Sequence, residues 1–428
     1  MDRSASRAPK YPCLTQLMTR GTYYDVGYNV GLNFSRQIKL FFAESDNIQD
    51  RLLPFYDSRA GRDYYEESLR VSHDCFPQYV REVRGMADGA GIPFEHVFMA
   101  NVSKEVYNVL FPKSEKNSAE SATQESHSHQ PKVDGSPGQP SAAAPEKAGA
   151  ASQTTPSPLQ ENYGCSDVFL NRPDCQLVIH NEDCDPMIKP YGYLLSVEVE
   201  EEGEEGEGKV KEQFTSFTYP GFLPGCAWSY NVHGLTISIN GLYPDHIVRE
   251  SPSRIFVNRS LLRARDIQDA VRLAKNAPYG IAYGFCANVS TKEGKMAAVE
   301  VGPGKPEARV HMQDVPQQSD PDAPCHYYHF NSYKHLKEVS EIKGLLSSTR
   351  RGQRANELPP PRTQQEALAV MADTNDLLGP IFRTPRPTDL GETVNTALFD
   401  VTARQVLVYQ GRKDLLSNTH FAKLHMYQ

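Results

Sequence analysis

No stretch of this sequence is apolar enough over about eighteen residues to make a membrane-spanning helix, and a mean hydropathy of −0.55 agrees. There is no excess of basic charge: 45 Lys and Arg stand against 53 Asp and Glu, a net charge of −8. That leaves no electrostatic footprint for nucleic acid. The eight cysteines form no CxxC pair, which predicts reduced thiols in a cytoplasmic protein rather than a disulfide framework or a zinc ribbon. Met1–Ser6 leads into no apolar core of a signal peptide, so no secretory route is expected, and the N-x-S triplets at Asn33, Asn101, Asn258 and Asn288 are read as chance matches. The closing Leu424–Gln428 is no peroxisomal or retention signal. No Gly-rich phosphate cradle is present, and no cofactor or metal is called for.

The most pronounced shortage is local. From Pro112 to Asn162 there is no Phe, Trp or Tyr, and Val133 and Leu159 are the only aliphatics larger than Ala. Such a segment cannot offset its conformational entropy by burial and is read as disordered, with His127 and His129 as solvated residues rather than metal ligands. Directly after it comes Tyr163-Gly164-Cys165-Ser166-Asp167-Val168-Phe169-Leu170, where the pattern turns to strands.

Upstream, Thr22 to Ser45 reads as one helix. Thr22 and Asp25 suit a capping box, and Val26, Val30, Phe34, Ile38 and Phe42 recur every fourth residue. Gly27 and Gly31 on it predict a close helix contact. Residues 46–86 are mainly helical, Ala87–Pro93 breaks the pattern, and Phe94–Leu110 is helical again. Downstream, Asp167–Leu170 and Leu177–His180 form a hairpin turned at Asn171–Asp174. Tyr193–Val199 and Gln213–Tyr219 flank the acidic run Glu200–Glu212, read as a solvated hairpin tip. Strands follow at Ala227–Tyr230, Gly234–Ile239, Gly284–Val289, Met296–Val301, Thr396–Val401 and Gln405–Gln410, with helices at Ser260–Lys275 and Gln364–Ala372. Helices first and antiparallel strands after them predict an α+β layered fold.

A cysteine after a Gly and a flexible leader, at the start of a strand, suggests a chain that cuts itself between Gly164 and Cys165. The freed Cys165 would be nucleophile, with its own α-amine as base. An α-amine has an ordinary pKa near 8, so a useful fraction is neutral at pH 7 without help from a histidine. Gly225-Cys226 is a second Gly-Cys pair, and either thiol also fits a small buried hydrophobe. The hairpin returns His180-Asn181-Glu182-Asp183 beside its own start, so an acid there could hold the α-amine; a solvated strand end is the other reading. Asn240, at the end of the strand Leu235–Asn240, suits an oxyanion donor or a turn residue before Gly241.

With these residues in hand the chain resembles the cysteine N-terminal nucleophile family of acyl-CoA:6-aminopenicillanate acyltransferase, and within it the N-β-alanyl-biogenic-amine hydrolases. The matching stretches are Gly164-Cys165, His180-x-Glu182-Asp183, Tyr219–Gly225, Ser229–Asn240, His326–Phe330, Ser347–Arg350 and Leu398–Tyr409. Arg20–Gly31 and Gly85–Ile92 match the family's prosegment. One departure is Tyr328, which stands where much of the family has Asn in H-x-N-H-F. The resemblance implies an αββα sandwich. It implies a proenzyme cut before Cys165 into associated chains, a prosegment 1–164 that is helical apart from its insert, and a catalytic core 165–428. It assigns Cys165 as nucleophile, Asp183 as the residue orienting the α-amine, Asn240 as oxyanion donor and Arg383, with Arg386 the alternative, as the site arginine. The substrate expected is a small acyl-amine such as β-alanyl-dopamine or β-alanyl-histamine, with Glu182 receiving the acyl-side ammonium. An acyl-CoA-dependent acyltransferase is the second reading, and a non-catalytic acyl-amine or protein-binding relative the third.

Overall fold

The computed structural model describes residues 14–110, 164–201, 210–320, 323–342, 346–386 and 391–426. The sequence reading of 112–162 as disordered, and most of the acidic run Glu200–Glu212, fall outside the described residues.

The chain begins with strand β1 (Thr15–Gly21), followed by α1 (Tyr23–Asn33), α2 (Ser35–Glu44), a π-helical turn at Asn47–Leu52, α3 (Leu53–Asp57), α4 (Arg59–Cys75), α5 (Pro77–Ala90), α6 (Phe94–Asn101) and α7 (Ser103–Leu110). Thr22 caps α1 with the anticipated box, its hydroxyl accepting from the Asp25 N–H and the Asp25 carboxylate accepting from the Thr22 N–H. The helix expected over Thr22–Ser45 divides at Phe34, whose φ of −107° and ψ of 17° leave the helical basin. That residue turns inward and stacks on Tyr193 with centroids 3.8 Å apart, so a tertiary contact overrides the helical period. α5 runs on to Ala90, past the expected break at Ala87, and ends at Gly91 in the left-handed conformation.

The close contact read from Gly27 and Gly31 is present and reciprocal. A Cβ at Gly27 would lie 1.9 Å from the Glu82 carbonyl oxygen, and one at Gly85 would lie 2.1 Å from that of Tyr24. Only hydrogen fits at this crossing of α1 and α5.

Downstream come β2 (Ser166–Arg172), β3 (Cys175–Cys184), β4 (Tyr193–Glu201), β5 (Val210–Thr218), β6 (Trp228–Asn231), β7 (Leu235–Leu242), α8 (Arg254–Leu261), α9 (Ile267–Lys275), β8 (Gly284–Thr291), β9 (Met296–Gly302), β10 (Arg309–Asp314) and β11 (His326–His329). The chain closes with α10 (Leu346–Glu357), α11 (Gln364–Met371), β12 (Glu392–Asp400), β13 (Gln405–Tyr409), α12 (Arg412–Ser417) and β14 (Ala422–His425). The helix expected over Ser260–Lys275 is two, because Asp266 accepts from the Asp269 N–H and starts α9 afresh.

Two sheets result. One is ordered β1-β4-β5-β6-β7-β8-β9-β10, the other β11-β2-β3-β12-β13-β14. All neighbours are antiparallel except β1, which joins β4 in parallel. Three apolar layers show how they stack. Val30, Ile38, Val83 and Met86 of the early helices meet Leu195, Ile237, Val289 and Val299 of the first sheet. Phe169, Val178, Ala397 and Phe399 of the second sheet meet Phe217, Trp228 and Ala298 of the first. Val168, Ile179, Leu398 and Leu407 meet Ala355, Leu368 and Met371 of α10 and α11. The order is helix, sheet, sheet, helix, the αββα sandwich that the resemblance implied. Alternation along β2 explains it: Phe169 points between the sheets while Val168 and Leu170 point to the outer helices.

The early segment is not wholly helical, since β1 extends the first sheet. Its register is polar and half exposed, which hid it from a period-two search. Nor does that segment fold apart: Arg259 of α8, fully buried, donates to Glu82 of α5 at 2.9 Å and to Glu212 of β5 at 2.8 Å, across the same core.

Candidate active site around Cys165

β2 and β3 pair with Ser166 opposite Asn181 and Asp167 opposite His180. Cys165 therefore precedes the ladder at the level of Glu182. Alternation places Cys165, Asp167, His180 and Glu182 on the face between the sheets, and Asn181 and Asp183 on the face toward the outer helices. The Asn181 amide confirms the second face by donating to the carbonyls of Met371 and Ile381 at 2.9 and 3.0 Å.

The thiol lies 3.7 Å from Glu182 Oε1, and Tyr219 donates its hydroxyl to the same oxygen. Glu182 Oε2 is 2.8 Å from His180 Nε2, and His180 Nδ1 is 2.8 Å from Asp167 Oδ2. Asp167 also accepts from Ser238 Oγ and from Asn240 Nδ2, both at 2.6 Å. Asn240 Oδ1 accepts from Asn288 Nδ2 at 2.7 Å and faces His329 Nδ1 at 3.0 Å. His329 Nε2 is 3.1 Å from Glu300. One buried chain of polar side chains thus runs between the sheets from Glu300 to the Cys165 sulfur. Inside so buried a layer each link matters, because an unpaired polar group there costs about 1–3 kcal/mol.

Burial sets the titration of these groups. It pushes the Cys165 thiol up to about 11, the Glu182 charge adding to it and His180 drawing it back. Burial would lower His180, but the Asp167 carboxylate and its hydrogen bond outweigh this and raise the imidazole well above its ordinary value. Asp183 is pushed up to about 7 by burial, against the opposing charges of Arg383 and Arg351. Its Oδ1 accepts from Thr393 Oγ1 at 2.6 Å, and its Oδ2 has no hydrogen-bond partner among the described residues.

On the other side of the strand start, Arg351 of α10 donates to the Cys165 carbonyl at 2.7 Å, to Ser166 Oγ at 2.9 Å and to Asn331 Oδ1 at 2.7 Å. The Asn331 amide in turn donates to the Gly241 carbonyl at 2.9 Å. Gly164 is wedged against this pair: a Cβ there would lie 2.0 Å from Asn331 Oδ1 and 2.9 Å from an Arg351 guanidinium nitrogen.

The expected residues are therefore distributed as follows. Cys165, Glu182 and Gly164 come together, and Asp183 lies on the far face of the same strand beside the Arg383 charge. Arg383 is buried, whereas Arg386 is only partly so. Asn240, expected as oxyanion donor, gives one amide N–H to Asp167, and its oxygen faces Asn288 and His329; the amide carries a second N–H besides. Glu182, expected to receive a substrate ammonium, has its two oxygens in contact with Cys165, Tyr219 and His180. Sequence reasoning gave no role to Asp167, His180, Asn331 or Arg351. The shared parity of Asp167, His180 and Glu182 across one hairpin was a usable signal; the approach of Asn331 and Arg351 from distant elements left none.

Cys165, His180 and Glu182 each offer one ligand atom, and these lie within 4.8 Å of one another. The donor types suit zinc, although His180 and Glu182 already hold one another.

The sequence model of the family described as acyl-coenzyme A:6-aminopenicillanic acid acyl-transferase matches residues 170–415. The Beta-alanyl-dopamine/carcinine hydrolase of Drosophila melanogaster is 28% identical over 410 residues, 94% of this chain and 94% of that protein. Among solved structures, penicillin V acylase from Agrobacterium tumefaciens aligns with 58% of this chain and 83% of its own at 16% identity and a TM-score of 0.36. A mutant conjugated bile acid hydrolase from Clostridium perfringens aligns with 61% of this chain and 92% of its own at 11% identity and a TM-score of 0.39.

Proposed function

The chain belongs to the acyl-coenzyme A:6-aminopenicillanic acid acyl-transferase family, and from that premise we propose that it is an amidohydrolase activated by cutting itself before Cys165. Its substrates in this reading are N-β-alanyl conjugates of biogenic amines. The observation that carries the substrate class is the likeness to the Beta-alanyl-dopamine/carcinine hydrolase over nearly the whole of both chains.

Self-cleavage leaves Cys165 with a free α-amine. The amine takes the thiol proton, and the sulfur attacks the substrate amide carbonyl. The amine product departs with a proton, and water resolves the β-alanyl thioester. Asp183 is assigned to hold the α-amine through Oδ2, the atom that lacks a partner among the described residues. Arg383 is assigned to keep Asp183 ionised. The family also motivates transfer of an acyl group from CoA to an amine, which shares the thioester and differs in what resolves it.

The test is the intact mass and N-terminal sequence of fresh protein, followed by turnover of β-alanyl, γ-glutamyl and fatty-acyl amides with and without acyl-CoA. Two associated fragments, one beginning at Cys165, and CoA-independent release of β-alanine are expected. A fragment beginning at Cys226, or turnover only with acyl-CoA, overturns the reading. Cys165→Ala should yield a single uncut chain with no turnover.

A further inference from the structure

Self-cleavage as proposed above raises a chemical problem that the geometry addresses. Before the cut, the nitrogen of Cys165 is a peptide nitrogen. Its lone pair is delocalised into the carbonyl, so it cannot take the thiol proton. The base that serves the mature enzyme does not yet exist, and the thiol is held high by burial. Some other group must accept the proton in the first reaction this chain performs.

We propose that Glu182 is that group: its Oε1, 3.7 Å from the sulfur, takes the Cys165 proton in the uncut chain. The inference rests on the self-cleavage reading and adds a residue that acts only in that first turnover. Sulfur attacks the Gly164 carbonyl carbon, forming the C–S bond. The C–N bond then breaks, and the proton held on Glu182 passes to the departing Cys165 nitrogen. Water cleaves the thioester, leaving a Gly164 carboxylate, a free Cys165 thiol and its α-amine. Proton and electron counts close without any other reactant.

The rest of the chain explains why this carboxylate is usable. His180 stands 2.8 Å from Glu182 Oε2 and 2.8 Å from Asp167 Oδ2, with acceptors on both sides, so each contact must carry a proton. Glu182 is therefore steered through Oε2, and Oε1 is turned to the sulfur. Asp167 is fixed by Ser238 and Asn240, so the imidazole cannot swing away. Asp167 and His180 are positioning residues in this scheme. Gly164 is confined by Asn331 and Arg351, so close that a Cβ there would meet both, and in this scheme its carbonyl carbon is the one the sulfur attacks.

The experiment follows the conversion of the 47.9 kDa chain into two fragments after cell-free synthesis, for wild type, Glu182→Gln, Glu182→Asp and Glu182→Ala. Wild type should cut, and Glu182→Gln should cut about 10²–10⁴ times more slowly, the range of general-base catalysis. Glu182→Asp, which keeps the charge but draws it back by one methylene, should fall between them. Added formate should speed the Glu182→Ala chain at least about tenfold, as a diffusible carboxylate replacing the missing base. A purely structural role would leave formate without effect. Circular dichroism in a Cys165→Ala background reports folding separately; should Glu182→Gln not fold, Glu182→Asp and the formate response decide. A wild-type chain that never cuts refutes the self-cleavage reading itself. A wild type that cuts while Glu182→Gln cuts within threefold of it, or an absent formate response, overturns the assignment of Glu182 alone.

Discussion

Replacing Glu300 by Gln should destabilise the folded chain by about 3 kcal/mol at pH 7, and by less as the solution is acidified. Glu300 is fully buried and accepts the backbone N–H groups of Lys334, His335 and Leu336 at 2.6, 2.9 and 3.0 Å, besides facing His329. Burial alone would raise its carboxyl. The His329 contact and the backbone donors overcome that and bring it from 4.5 down to about 2. Because the folded value is depressed, the contribution is fully present above the unfolded pKa and is lost as pH falls toward 2. The difference corresponds to about 3 kcal/mol at neutral pH, about 2 kcal/mol at pH 3.5 and about 1 kcal/mol at pH 3. Glutamine lacks the charge and sets an N–H against the donors, so the variant has no such titration. Urea unfolding at pH 7 and pH 3.5, read from the lone tryptophan Trp228 buried between the sheets, measures the gap at both. A gap below about 1 kcal/mol at pH 7, or one that does not narrow on acidification, refutes the reasoning.

Gly164→Ala should slow self-cleavage at least about tenfold, because its Cβ would meet Asn331 and Arg351 and shift the carbonyl from the sulfur; a gel time course at wild-type rate would contradict this. Gly85→Ala places a methyl 2.1 Å from the Tyr24 carbonyl oxygen and should cost about 1–3 kcal/mol by urea unfolding, as overpacking does. Arg259→Leu strands Glu82 and Glu212 in the core and should cost about 3–5 kcal/mol. After cleavage the same variant should release the 1–164 fragment from 165–428 on size exclusion at urea concentrations the wild type withstands.

The residues of the site came forward from the sequence to different degrees. Cys165 and its acid cluster were visible because a single hairpin carries them, and pairing Ser166 with Asn181 returns Glu182 to the strand start. The match to family blocks named Asp183 and Arg383. The surroundings of Asn240 were not legible, because a strand-end Asn before Gly looks the same whether it faces a substrate or a neighbouring carboxylate. Its partner Asp167 lies 73 residues away in the chain. Arg351 was invisible for a similar reason. Its neighbours Ser347–Arg350 were matched as a family block, yet nothing local says that the next residue along α10 reaches the Cys165 carbonyl.

What the sequence by itself determined was the alternation and the caps. Period two in β2 and β3 sorted Cys165, Asp167, His180 and Glu182 onto one face, Thr22 opened α1, and glycines at 27 and 31 required a helix to pass close by. These depend on side chains within a few residues of one another, where backbone geometry alone sets who meets whom. Only the tertiary structure decided which face of each strand looks between the sheets, and that Glu300, His329, Asn240, Asp167, His180 and Glu182 form one hydrogen-bonded chain. Those residues come from β9, β11, β7, β2 and β3, and their donors and acceptors are paired because polar groups buried between two stacked sheets need partners within the protein.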